Sequence, residues 1–127
     1  MPSPKLDELI AIINACDTAK CEVYVCPSVL HTAYCCDKFT NGALVTPHSM
    51  DFRCGGAFTG EMAVEQMKDV GISQVLLGHS ERLGQFGILA FDENKTLATK
   101  LKYAIDASMS MILCIGERKK IREQGKL

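Results

Sequence analysis

The feature that most constrains this chain is its alternation of short apolar runs with stretches of helical period. Val75-Leu76-Leu77 and Met111-Ile112-Leu113-Cys114-Ile115 are continuous apolar runs, as a strand buried on both faces of a parallel sheet requires. Glu22-Val23-Tyr24-Val25-Cys26 and Ala43-Leu44-Val45-Thr46 read as two more strands from their β-branched and aromatic content, closed by Pro27 and Pro47. Ser3 and Pro4 suit the start of a helix, and Leu6, Leu9, Ile10 and Ile13 give it one buried stripe. Ser28 is placed to cap a second helix reaching about Lys38, before a turn at Asn41-Gly42. Thr59 is placed to cap a third, through Glu61 to Val70, which Gly71 ends. Asp92 to Ala107 is the longest helix, with Leu97, Leu101, Ala104 and Ile105 on one face, and Arg118 to Gln124 starts another. The order is a helix and then four strand–helix units. It predicts an α/β fold, a parallel sheet with helices outside joined by right-handed crossovers. Periodicity alone fits an open doubly wound sheet or part of a closed barrel.

A chain of 127 residues makes one domain, residues 1–127. Its 47% hydrophobic and 23% charged residues are those of a folded globular protein. A net charge of -1 gives no electrostatic reason to expect nucleic acid or a membrane as partner. No apolar run approaches the roughly 18 residues of a spanning helix. Met1 to Asp7 lacks the basic-then-apolar profile of a signal peptide, so a soluble, cytoplasmic protein is expected. The seven cysteines include no C-x-x-C pair and no zinc spacing, so reduced thiols and no metal are expected. Cys26, His31, Cys35 and Cys36 can be drawn together as a metal site, but ordinary core packing is the preferred reading.

The chemistry-bearing residues gather after the third strand. Gly78 is followed by His79, Ser80, Glu81 and Arg82 in four consecutive positions. That is the carboxyl end of a parallel strand, where ligands bind in α/β folds. Residues 47–60 form a longer loop with Gly55, Gly56 and Gly60, which suggests special backbone angles or close contact with another chain. His31 and His48 read as ordinary surface or loop histidines.

Three stretches, Gly56-Ala57-Phe58-Thr59-Gly60-Glu61, Leu77-Gly78-His79-Ser80-Glu81-Arg82 and Cys114-Ile115-Gly116-Glu117, resemble signatures of triosephosphate isomerase in that family's order. Leu6-Asp7-Glu8-Leu9-Ile10, Cys26-Pro27 and Lys68-Asp69-Val70-Gly71 also fit. The resemblance covers essentially the whole chain. It implies part of a TIM (β/α)8 barrel, about four parallel strands alternating with helices, where a full barrel has eight strands and about 250 residues. By the resemblance the chain runs from the helix after the family's first strand to the helix after the fifth.

The family interconverts dihydroxyacetone phosphate and glyceraldehyde 3-phosphate, without metal or cofactor, in glycolysis and gluconeogenesis. It is itself the worked case of a neutral imidazole polarising a carbonyl while a carboxylate moves the adjacent proton. The resemblance makes His79 that imidazole, with a helical turn from Ser80 supplying N–H groups that disfavour the imidazolium. Ser80 and Glu81 match residues that orient the base and a lysine. Thr59, Glu61 and Arg82 match the interface of a homodimer, where the threonine supports the partner's site and the glutamate pairs with the partner's arginine. The bland alternatives are a packed strand-end histidine, helix capping by Ser80, a solvated Glu81, and an exposed ion pair worth about 0–1 kcal/mol.

The pattern also breaks. His48-Ser49 stands where the family has a glutamine-asparagine pair, Leu83 replaces an arginine, Ile88 to Phe91 are four added apolar residues, and Ser108 stands where a helix-ending glycine is usual. The family's base glutamate, substrate lysine, lid and phosphate loop have no counterpart in these residues. The isolated chain is therefore expected to be inactive or nearly so. A second reading is a non-catalytic fragment or relic that associates with intact isomerase subunits through the Thr59 loop; an unrelated phosphate-binding α/β domain lacks its glycine-rich loop.

Overall fold

The structure, a computed structural model, describes residues 4–50, 61–82, 93–117 and 119–125. In chain order its elements are α1 (Pro4–Asn14), β1 (Tyr24–Val25), α2 (Val29–Cys35), β2 (Leu44–Val45), α3 (Val64–Asp69), β3 (Gln74–Leu77), α4 (Asn94–Asp106), β4 (Ser110–Leu113) and α5 (Lys119–Glu123). The alternation read from the sequence is the alternation observed.

Two parallel ladders form, Tyr24 with Leu44 and Val25 with Val45 in one, and Gln74 to Leu77 with Ser110 to Leu113 in the other. The Leu76 N–H donates to Pro47 O at 2.8 Å, and Gln74 Nε2 donates to Val45 O at 2.6 Å, joining β2 to β3. All four strands thus follow one another in sequence order, with no reversal. An open doubly wound sheet reverses its order at a switch point, whereas a (β/α) barrel adds each strand beside the last, as here. The chain is an α/β arc of such a barrel.

The third strand lies in the middle of the core. Val75 and Leu77 are fully buried, packed in one cluster with Met50, Val64, Met67, Ile72, Ala104 and Met109. Burying each such side chain contributes about 1.5–3 kcal/mol. A second cluster, Ile10, Cys35 and Val45, fastens α1 and α2 to β2. Tyr34 hydroxyl donates to Asp7 Oδ1 at 2.7 Å and pins the same two helices at their surface.

Several expectations shift. The run from Met111 to Ile115 is not buried: Leu113 and Ile115 are exposed, Ile115 at 88%. Among the described residues β4 has a strand neighbour on the β3 side alone, which leaves its other edge uncovered. In α1 the stripe is Leu6, Ile10 and Ile13, with Leu9 49% exposed. On α4 Ile105 is 60% exposed, and Lys100 takes the buried place between Leu97 and Ala104. Ser28 stands at the N-cap of α2, but its hydroxyl meets His31 Nδ1 at 2.8 Å instead of capping a backbone N–H. The third helix starts at Val64, three residues after Glu61, with Ala63 N–H donating to Gln66 Oε1 at 3.2 Å. Its expected cap, Thr59, lies outside the described residues, as do Leu83 and the added Ile88 to Phe91.

Candidate active site

The site begins with Gly78. Its φ of +80° is in the left-handed region, and a Cβ there would lie 2.9 Å from Cys114 O and 3.2 Å from Leu97 Cδ2. Only glycine takes that backbone angle at no cost and admits so close an approach. The carbonyl it must clear belongs to the residue whose N–H continues the β3–β4 ladder, Cys114 N–H to Leu77 O at 2.8 Å. The chain therefore leaves β3 sharply and delivers the next residue at the sheet's carboxyl edge.

That residue is His79, half-buried, at the head of a turn closed by the Arg82 N–H donating to His79 O at 2.9 Å. Within the turn the Glu81 N–H donates to His79 Nδ1 at 3.3 Å. A backbone N–H can only donate, so Nδ1 accepts and the neutral ring carries its proton on Nε2. Glu81 Oε2 lies 3.7 Å from the same Nδ1 and would face a protonated ring. The turn thus offers a donor to the neutral ring and a carboxylate to the charged one. The described residues directly after His79, Ser80 to Arg82, form a single turn of backbone.

His79 stands between two clefts. A small one, about 80 Å³, is bounded by His48, His79, Glu81 and Arg82. A larger trough, about 470 Å³, runs between the ends of β3 and β4 past Ser80, Asn94, Leu97 and Ile115. Ser80 reaches the trough and Glu81 the small cleft, so the consecutive residues serve different walls.

Arg82 Nη2 donates to Glu61 Oε1 at 3.0 Å, with both side chains 23% exposed. The pairing expected across a subunit boundary is made here within one chain. The segments after β2 and β3 end side by side, and that adjacency brings the two residues together. Thr59, the third residue of the expected interface, is outside the described residues.

Two residues of the site escaped sequence reasoning. His48, expected to be an ordinary loop histidine, has its ring centroid 6.1 Å from that of His79, the planes inclined at 56°. It follows Pro47 at the end of β2, as His79 follows Gly78 at the end of β3, so the strand-end argument applied to both. Lys100, 2% exposed, reaches Ser49 Oγ at 3.3 Å and Glu61 Oε2 at 3.9 Å. Its spacing of three from Leu97 and four from Ala104 put it on the buried stripe, which was a legible signal.

Among the described residues no group of three His, Cys, Asp or Glu side chains is placed to hold a metal ion. Cys35 is core, and burial pushes the thiols of Cys26, Cys35 and Cys36 above their ordinary range. Six described cysteines are free thiols. Among the described residues no helix is long and apolar enough to cross a membrane.

Comparison with known proteins is consistent with this geometry. The family model described as triosephosphate isomerase matches residues 4–127. A chloroplastic triosephosphate isomerase of Fragaria ananassa is 34% identical over 124 residues, 94% of this chain and 38% of its own length. The triosephosphate isomerase of Saccharomyces cerevisiae is 37% identical over 106 residues, 83% of this chain and 41% of its own. That of Clostridium novyi is 41% identical over 107 residues, with the same coverage of each chain. The chain spans less than half the length of these curated relatives.

Proposed function

Because this chain belongs to the triosephosphate isomerase family, we propose that it carries the imidazole half of an isomerase site for a phosphorylated three-carbon ketose and aldose. His79 is the electrophile. Its Nε2–H donates to the substrate carbonyl oxygen while a carboxylate takes the proton from the adjacent carbon, so that negative charge developing on oxygen meets a fixed donor. The single observation that supports this is the Glu81 N–H donating to His79 Nδ1, which selects the ring tautomer that can donate from Nε2. A neutral donor avoids overstabilising the enediolate as an ion pair.

The family's base and substrate lysine fall outside the segment matched here, so the reaction belongs to a site completed by further residues. The trough beside His79 and Ser80 is the space in which substrate would lie. Thr59, Glu61 and Arg82 are proposed to border a second subunit of a homodimer, with Glu61 and Arg82 holding one another inside the chain. By family, the reaction serves glycolysis and gluconeogenesis in the cytoplasm.

The test uses whichever chain carries this sequence in its native cell. Purified from there, it should interconvert the two triose phosphates, and His79→Gln should lower kcat about 10²–10³-fold, the loss of one oxyanion donor. A native product that turns over neither triose phosphate overturns the reading.

A further inference from the structure

A lysine buried in the middle of a helix needs a reason, because an apolar residue there would cost no desolvation. Lys100 is such a residue, and contacts of its Nζ lead to opposite walls of the His79 cleft. Toward one wall its Nζ reaches Ser49 Oγ at 3.3 Å, and the neighbouring His48 ring faces His79 at 6.1 Å. Toward the other it lies 3.9 Å from Glu61 Oε2, and Glu61 Oε1 holds Arg82 at 3.0 Å. The Arg82 N–H in turn closes the His79 turn on His79 O at 2.9 Å. Contacts therefore run without a break from α4 to the backbone that presents the imidazole.

We propose that Lys100 is a positioning residue for His79, a buried cation that holds Ser49 and Glu61 together and so fixes both walls of the cleft and the turn that selects the ring tautomer. This rests on the reading of His79 as a neutral donor. The physical basis is the sharing of one carboxylate by two cations. Glu61 is partly exposed and, held by Arg82 alone, can carry that guanidinium outward into water with it. Lys100 keeps the second oxygen in the interior. The carboxylate then has one orientation, Arg82 is held against it, and the Glu81 N–H stays in line with Nδ1. A buried ion pair adds little stability over apolar packing, but it specifies geometry. Geometry is what a donor aimed at a developing oxyanion needs.

The test reads the ring, not turnover. In the full chain labelled with ¹⁵N-histidine, the two ring nitrogens of His79 should give the widely separated resonances of a single neutral tautomer. Lys100→Met keeps length and removes the charge. It should lower the tautomer preference roughly three- to tenfold, the worth of one hydrogen bond, and draw the two resonances together. Glu61→Gln, which keeps volume, should do the same through the middle link. Folded Lys100→Met with an unchanged His79 pattern would overturn the proposal. If Lys100→Met does not fold, Glu61→Gln decides it by the same reading. Loss of folding in both variants would assign the network to stability and overturn it equally. An inactive chain whose ring pattern responds to both substitutions would sink the isomerase reading and leave this inference standing.

Discussion

Gly71 and Ser108 occupy the same position in two copies of one helix-ending motif. After α3 the Gly71 N–H donates to Lys68 O and the Ile72 N–H to Met67 O; after α4 the Ser108 N–H donates to Ile105 O and the Met109 N–H to Ala104 O. Both residues are left-handed, at φ +85° and +58°. In each copy the following apolar residue, Ile72 or Met109, is buried in the same core cluster as the partner it bonds, Met67 or Ala104. The motif ends each helix and aims the chain into β3 and β4.

This equivalence predicts opposite responses to substitution. Serine bears a Cβ penalty in that conformation which glycine does not. Ser108→Gly should stabilise the chain by about 0.5–1 kcal/mol, and Gly71→Ala should destabilise it by about 1 kcal/mol. Urea denaturation midpoints of the two variants measure both signs.

Gly78→Ala should be more damaging, because strain and contact add. The left-handed φ and the 2.9 Å approach to Cys114 O fall on the residue that follows the last pair of the β3–β4 ladder. A loss of about 1–3 kcal/mol is expected. Amide exchange should quicken first at Cys114, whose N–H bonds Leu77.

The thiols should divide by environment. Burial raises Cys26, Cys35 and Cys36 above the ordinary range, so less thiolate is present at any given pH; the neighbouring Cys114, Cys36 and Asp37, respectively, act in the same direction. Cys16 and Cys21 are exposed. Limited alkylation near neutral pH, read by peptide mass, should label Cys16 and Cys21 first. Labelling of Cys26, Cys35 and Cys36 should keep rising past about pH 8.5, the ordinary thiol value.

Acid should weaken the α3–α4 contact. Tyr103 hydroxyl donates to Glu65 Oε1 at 2.7 Å and, ahead of the smaller effects of the backbone and Lys68, holds that carboxyl below its ordinary range. A depressed carboxyl contributes stability that is present above the unfolded value, about 4.3 for glutamate, and is lost as pH falls through the folded one. Tyr103→Phe should flatten the acid limb of a melting-temperature profile without moving the neutral plateau far. An unaltered acid limb would show that the hydrogen bond contributes nothing.

The strand positions, the strand–helix alternation and the His79 cluster were legible in the sequence because they are local. A continuous apolar run such as Val75 to Leu77 has few places to go other than a sheet interior. The glycine before His79 signalled an abrupt exit from the strand. Lys100 and His48 were legible in principle, by helical spacing and by strand-end position. A lone lysine and a lone histidine, however, are solvated far more often than they are built into a site. The exposure of β4 and Ile115 was not legible, because an apolar run says that a strand wants cover and does not say which neighbour supplies it.

By itself the sequence determined the α/β alternation, the family, and the residues His79, Ser80 and Glu81 at one strand end. All of these depend on side chains a few positions apart along the chain. Tertiary structure alone decided that Glu61 meets Arg82 within the chain, that Lys100 reaches Ser49 fifty-one positions away, and that His48 faces His79. The reason is geometric. Parallel strands in sequence order bring the loops after β2 and β3 to the same edge, and no pattern along the chain reports which side chains meet there.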